Sequence, residues 1–411
     1  MSTAIVQPEV EISGKAAAPV TKYRIESIDI LRGAVMLIMA IDHVRDIFHQ
    51  GTPDPTNLAT TTPILFFTRW ITHFCAPTFV FLSGVSAYIA GTRRTLNQLS
   101  AFLIKRGFWL IAVEVIFITF GITLNPLYNI VVLQVIWAIG GSMVLLGLLV
   151  RCRLSVTAIG IIGAMIFFGH NIFDVVNAGP IKETVYWKLL VSASGFSSLI
   201  QLGNNYYLLA AYALLPWTGV MLIGYFFGSF YNTSYNAVKR RKILLYSGLA
   251  LLALFLVFRA FNVYGDPTPW SVQKSTALTV ISFLNVTKYP CSLLYLSMTL
   301  GCSLILLSIT EHVKSSFTRM LIVFGNVPFF YYLCHWYLIQ TVHISAFFAL
   351  GYKISQIVTP KVPFLFSPPG FGFNLAGVYL IWLLVIFILY FPCRWYSQYK
   401  KTHRQWWLSY L

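Results

Sequence analysis

Long apolar runs, broken by short polar or Pro/Gly/Asn-rich stretches, dominate the chain. A helix crossing the hydrocarbon core of a bilayer needs about 20 mostly apolar residues. The pattern therefore predicts ten crossings, near residues 28–48, 64–90, 104–123, 130–150, 154–174, 206–230, 243–261, 289–310, 320–350 and 372–393. The ninth run is longer than one crossing requires, and its Gly325, Asn326 and Pro328 predict a broken entry. Thr276 to Leu284 is too short to span and reads as a re-entrant or interfacial turn, so nine to eleven crossings fit the pattern. The expected fold class is all-α, a polytopic integral membrane helical bundle. Residues 1–22 mix Pro, Gly, Ala and charge without the apolar core of a cleavable signal, and are expected to form a disordered cytoplasmic tail before a single transmembrane domain over 23–411.

Composition sharpens this picture. Of 411 residues 57% are apolar and only 10% charged, against about 25% charged in ordinary soluble domains, which excludes a water-soluble globular protein. The net charge of +17 is sorted along the chain: 19 of the 29 Lys and Arg fall in alternate loops on one side, and 7 on the other. Positive loops face the cytoplasm. Both termini are therefore expected there, with the protein in the cell (inner) membrane and its basic excess serving topology and anionic lipid rather than nucleic acid. Cys75, Cys152, Cys291, Cys302, Cys334 and Cys393 form no CxxC or Cys/His ligand spacing, so they read as packing residues. No metal is expected, and no haem: His335 and His343, eight apart on one helix, cannot clamp one metal.

The first crossing is unusual because Asp29, Arg32, Asp42, His43, Arg45 and Asp46 lie in or beside an apolar helix. One such charge at the bilayer centre costs about 2.5–3.5 kcal/mol on insertion scales, so several together imply mutual pairing and a protein-lined or wet interior. Asp29, Arg32, Met36, Met39, His43 and Asp46 share one helical stripe; Asp42, Arg45 and His49 lie on its neighbour. Arg32 and His43 are eleven residues apart, roughly 16 Å along a helix, with Arg32 near the cytoplasm and His43 toward the outer side. That separation suits a donor such as acyl-CoA, whose anionic head a guanidinium grips and whose reactive arm reaches inward to a histidine able to take a proton. Asp46, one turn from His43, is expected to orient its imidazole. The plainer alternatives are a structural Asp29–Arg32 ion pair at the helix entrance and a hydrogen-bonded core histidine.

In the second crossing Arg69 and His73 share a face, and antiparallel packing of this hairpin would bring His73 toward His43. Glu114 lies mid-helix in the third crossing, as a proton relay, an arginine partner or a neutral hydrogen-bonded side chain. Gln134 and Trp137, three apart, are candidates to touch the donor, with ordinary packing the competing account. Lys288 and Tyr289 open a crossing from the outer side, as an interfacial anchor or an acceptor contact.

Several stretches resemble a known family. Ser27 to Gly33 followed by Asp42-His43-Val44-Arg45-Asp46, then Lys105 to Leu110 with Glu114, Leu133 to Gly140, Gly169-His170-Asn171 with Asp174, Leu215 to Met221, Thr287 to Pro290, Gly325 to Tyr332 with His335, and Cys393-Arg394-Trp395 resemble the bacterial relatives of heparan-alpha-glucosaminide N-acetyltransferase, a transmembrane acyltransferase family. The likeness runs from about residue 23 onward and is carried by the order of the motifs. The fourteen-residue spacing of Asp29 from His43 also resembles that of the wider membrane acyltransferases that modify envelope sugars, where the histidine is regarded as catalytic. In the heparan enzyme an asparagine holds the corresponding place and the active histidine lies in the following loop; here His49 is nearby, with no match over Gln50 to Pro63.

The resemblance implies an acyltransferase moving an acyl group, acetyl in the named enzyme, from cytoplasmic acyl-CoA to a hydroxyl or amine of a glycan or lipid-linked envelope acceptor. In this scheme His43 is general base, supported by Asp46, Asp42 and His73, and Arg32 with Asp29 and Arg69 holds the donor. Direct transfer and an acyl-histidine route both remain open. A transporter or flippase using the same charges is the alternative, and inverted repeats, which would mark it, are not found. Small-residue faces permit a homodimer.

Overall fold

In the computed structural model, residues 25–408 are described apart from 52, 177–178, 195–198, 233, 358–364, 404 and 406–407; the expected tail over 1–22 lies outside them. Sixteen helices are found there: α1 (Glu26–Phe48), α2 (Pro63–Trp70), α3 (Cys75–Gly91), α4 (Leu96–Val113), α5 (Thr119–Thr123), α6 (Val135–Arg151), α7 (Val156–Gly169), α8 (Ile172–Val175), α9 (Val185–Trp187), α10 (Leu214–Gly228), α11 (Ala237–Phe261), α12 (Thr276–Leu284), α13 (Leu293–Thr310), α14 (Ser316–Asn326), α15 (Pro328–Ala349) and α16 (Leu375–Thr402). Local chemistry sets their starts. Thr95 and its Gln98 partner form a capping box for α4, and Ser155, Asn236, Ser292 and Asn374 each accept a backbone N–H at the start of a helix. Pro328 opens α15, where its missing N–H costs nothing.

The polytopic helical bundle expected from the apolar pattern is what forms. Six spans among the described residues are long and apolar enough to cross a membrane, Pro63–Gly91, Val156–Val175, Leu214–Tyr231, Ala237–Phe261, Leu293–Thr310 and Leu375–Thr402. The pair α14 and α15, bent by 85°, makes a seventh, and its break at Val327 is the interrupted entry that Gly325, Asn326 and Pro328 signal. Length and composition among the described residues do not confirm the count of ten. The charges of α1 set it apart although its 23 residues reach about 34 Å. The third run contains a π-turn at Glu114–Ile118, and the fourth and sixth runs begin as strands, the sixth still supplying the span Leu214–Tyr231.

Those strands, β1 (Ile130–Leu133), β2 (Leu199–Gly203) and β3 (Tyr206–Ala210), make a small sheet in the order β1-β3-β2, with β1 parallel to β3 from Ile130↔Tyr207 to Leu133↔Ala210. α1 is the central rod, packed by α3, α13, α14, α15 and α16. Helices cross closely where glycines face each other: a methyl on Gly84 would overlap the Met221 carbonyl and one on Gly224 the Phe81 carbonyl, and Gly33 and Gly325 make the same reciprocal contact with Leu321 and Asp29. α16 runs antiparallel to α1. Its Tyr379 hydroxyl lies 2.8 Å from Thr68 Oγ1 at one end, and its Ser397 accepts from Asn326, 3.0 Å away, beside Asp29 at the other. The start of α1 and the end of α16 therefore lie at one end of the bundle.

Candidate functional site

The far end of α1 opens on a cavity of about 480 Å³. Asp42, His43, Arg45, Asp46 and His49 reach it from α1, Arg69 from α2, and Lys288 and Tyr289 from the segment before α13. Asp42 is the hub. One carboxylate oxygen pairs with Arg45 at 2.9 Å, while the other accepts from Arg69 and lies 4.0 Å from the Lys288 ammonium. The helix places Arg45 one turn from Asp42, whereas Arg69 and Lys288 arrive from other elements, so the cluster pins three segments around one buried anion. Lys288 is thus buried in the cluster and not an interfacial anchor.

Its position follows from a second network. Asp266 accepts from the Thr287 amide (2.8 Å), the Thr287 hydroxyl (2.9 Å) and the Ser292 hydroxyl (2.8 Å), and pairs with buried Arg259 at 3.7 Å. Arg259 in turn donates to the carbonyls of Phe283, Thr268, Ser282 and Asn285, closing the end of α12. The segment bearing Lys288 and Tyr289 is clamped at both ends.

His43 lies half-buried in the cavity wall, its ring 4.1 Å from the Trp336 ring and 5.3 Å from His335. Neither of its nitrogens takes a hydrogen-bond partner among the described residues. The expected orientation by Asp46 is not what forms: Asp46, with a side chain 34% exposed, pairs with Arg45 instead. His73 does not reach His43 either. Its ring packs edge-on against Tyr295 at 5.4 Å, and its carbonyl accepts from the Tyr295 hydroxyl.

A smaller cavity of about 110 Å³ lies toward the start of α1, lined by Arg32, Arg106, Ser83 and Tyr332. Arg32 donates to Ser86 (2.9 Å) and to the Gly325 carbonyl (3.3 Å), and pairs with Asp29 at 3.4 Å. The structural ion pair and the guanidinium facing a chamber are therefore the same residue. Phe79 and Val135 line both cavities, so the arginine chamber and the histidine chamber meet at these two residues. Arg69 belongs to the histidine chamber and does not join Arg32.

Gln134 lines the larger cavity, whereas Trp137 lines neither and packs against the core. Glu114 finds no arginine. It is fully buried, accepts from the Gln134 amide at 2.5 Å, and so caps the start of α6 from a neighbouring helix. Sequence reasoning assigned no site role to Arg106 or Trp336, although Arg106 lies in the Lys105 to Leu110 stretch that resembles the family. Among the described residues no group of His, Cys, Asp and Glu is placed to hold a metal ion.

No curated protein matches the chain. Residues 24–259, more than half of it, match the family model for the catalytic region of heparan-alpha-glucosaminide N-acetyltransferase. That stretch contains Arg32, Asp42, His43, Arg69, Arg106 and Gln134, which line the two chambers together with residues beyond it such as Lys288, Tyr332 and Trp336. A multi-pass membrane bundle whose matched half carries this polar seam belongs to the heparan-alpha-glucosaminide N-acetyltransferase catalytic family, and is a membrane acyltransferase by that membership.

Proposed function

We propose that the protein transfers an acetyl group from cytoplasmic acyl-CoA to a hydroxyl or amine of a glycan or lipid-linked envelope acceptor, with residues 23–411 acting as one catalytic unit in the inner membrane and both termini cytoplasmic. The observation that supports this reading is the pair of chambers sharing Phe79 and Val135: guanidinium groups line one and an unpartnered imidazole the other. The anionic head of the donor sits against Arg32 and Arg106, a forked donor geometry suited to phosphate. The thioester end passes the Phe79–Val135 partition and meets the acceptor at His43. His43 takes the acceptor's proton as the new bond to the acyl carbon forms, the C–S bond breaks, and the thiolate leaves as a thiol. Lys288 and Arg69, held around Asp42, supply positive charge to the oxyanion. The common placement of the ends of α1 and α16 supports the shared sidedness of the termini.

The deciding measurement is release of CoA thiol by the purified protein in detergent, with a panel of amino sugars and lipid-linked sugars. His43→Ala is expected to abolish acceptor-dependent release while the protein still elutes folded. Full activity in that variant removes His43 from the mechanism.

A further inference from the structure

The larger cavity has a second imidazole station, built by residues outside the stretch that matches the family model. Ser367, in the segment before α16, lines this cavity, and its Oγ lies 3.1 Å from Nε2 of His343 on α15. The other ring nitrogen, Nδ1, lies 3.0 Å from Oε1 of Gln340, one turn earlier. The Gln340 amide cannot face the other way, because its Nε2 donates to the Ile122 carbonyl at 2.5 Å. Its oxygen therefore points at Nδ1, which must carry the proton, and Nε2 is left as an acceptor for the Ser367 hydroxyl. Hydroxyl, imidazole and orienting acceptor stand in the order that activates a serine.

The surroundings hold this arrangement in place. His343 is fully buried, with Phe371 at 5.1 Å and Phe48 at 5.5 Å around its ring. The segment carrying Ser367 is clasped to the end of α1: Phe373 donates to the Phe48 carbonyl at 2.7 Å, and Gln50 donates back to the Phe373 carbonyl at 3.0 Å. Gly372, at φ +123°, fits there because a methyl would overlap the Phe48 carbonyl. Buried Gln340 and His343 have their polar atoms hydrogen-bonded, and the array ends on one cavity-facing hydroxyl.

We propose that Ser367 is a catalytic nucleophile that carries the acyl group between donor and acceptor, with His343 as its general base and Gln340 as the positioning residue that fixes the tautomer. The inference rests on the acyl-transfer reading above and replaces its single displacement by two. Ser367 Oγ attacks the thioester carbonyl and its proton passes to His343 Nε2; the C–S bond breaks, and the leaving thiolate takes that proton. The acceptor, relieved of its proton by His43, then attacks the acyl-serine ester. The bond from the carbonyl carbon to Ser367 breaks, and the departing oxygen takes up the proton that His43 removed from the acceptor.

The test uses the full chain in detergent and two reagents. A fluorophosphonate, which phosphonylates activated serines and needs no acyl donor, is expected to modify Ser367 by peptide mass mapping, to leave Ser367→Ala unmodified at that peptide, and to react about 100-fold more slowly with His343→Ala. Gln340→Leu is expected to slow the reaction and to displace its pH profile, which a merely structural change would leave in place. Radiolabelled acetyl-CoA without acceptor is expected to leave a hydroxylamine-labile acetyl group on the Ser367 peptide. Because Ser367 is small and only half-buried, Ser367→Ala keeps the fold and the test stays decisive even where His343→Ala unfolds. Unmodified Ser367 in folded protein, or acceptor-dependent turnover by Ser367→Ala within about twofold of the parent, overturns the proposal. Phosphonylation of Ser367 without any cleavage of acetyl-CoA upholds the nucleophile and sinks the acyl-CoA reading instead.

Discussion

The imidazole of His43 rests against the indole of Trp336, ring centres 4.1 Å apart and planes tilted by 40°. This contact joins the first helix of the chain to the half that lies beyond the family match, at the wall of the cavity that both residues line. A flat ring in that place limits rotation of His43 about its side-chain bonds. Trp336→Phe keeps a ring there and is expected to hold turnover within about threefold. Trp336→Ala, which empties a fully buried site, is expected to cost about 3–5 kcal/mol in stability together with most of the activity. Thermal melting and CoA release, measured on the same preparations, check both arms.

Asp42 and Asp46 differ by one turn of helix and by their partners. Asp42→Asn leaves Arg45, Arg69 and Lys288 without the buried anion that holds them, a loss expected to cost about 3–5 kcal/mol. Asp46, paired with Arg45 at the rim, is expected to cost under about 1 kcal/mol when changed to Asn. Equal melting temperatures for the two variants would contradict the hub assignment, and loss of activity in Asp46→Asn alone would restore Asp46 as the partner of His43.

The partition between the chambers invites a size series at Phe79. Phe79→Trp narrows the passage and is expected to lower acetyl-CoA turnover about tenfold while binding of CoA to the arginine chamber, followed by calorimetry, is unchanged. Phe79→Ala joins the chambers and is expected to admit longer acyl groups. A series in which acyl-chain preference is indifferent to residue 79 would place the donor path elsewhere.

How far the chain could be read follows from how local each signal is. The stripe from Asp29 to Asp46 and the broken helix at Pro328 are written in local spacing and form where expected, while Thr276 to Leu284, read as a turn, forms the nine-residue helix α12. Ile130–Leu133 and Tyr206–Ala210 are apolar runs whose strand character comes from pairing with each other across more than seventy residues, so periodicity alone reads them as helix ends. Lys288 looks interfacial until Asp266 and Arg259 fold its segment inward. Glu114 looks in need of a cation, and instead accepts at one oxygen from a backbone amide that no spacing rule points to, its other oxygen buried without a partner among the described residues. The pairing of Ser367 with His343 spans a stretch whose polar residues give no motif.

Arg259 offers a test of that inward fold. Its guanidinium serves four carbonyls and Asp266, and among the described residues no other cation pairs with Asp266. Arg259→Leu strands those acceptors and a buried carboxylate, at an expected cost of about 3–5 kcal/mol. The Thr287 amide, which donates to Asp266, is expected to change from slow to rapid hydrogen exchange in this variant, and exchange at an unchanged rate would show that the Lys288 segment stands without Arg259.

The closest approach of α1 to its neighbours is the reciprocal contact of Gly33 with Leu321 and of Gly325 with Asp29. An alanine methyl at residue 33 would sit 2.0 Å from the Leu321 carbonyl oxygen, and the atom that must yield is backbone, which a rotamer change cannot move. The helices must then separate, which draws the Gly325 carbonyl from Arg32 and tilts the guanidinium in its chamber. Overpacking of this kind costs about 1–3 kcal/mol where side chains adjust, so a backbone clash is expected at the upper end of that range or beyond. Gly33→Ala should therefore lower the melting temperature and weaken CoA binding together, while Gly169→Ala, where an added methyl meets nothing within 4 Å, should leave CoA binding intact. Unchanged CoA affinity in Gly33→Ala would mean that Arg32 does not depend on this crossing for its place in the donor chamber.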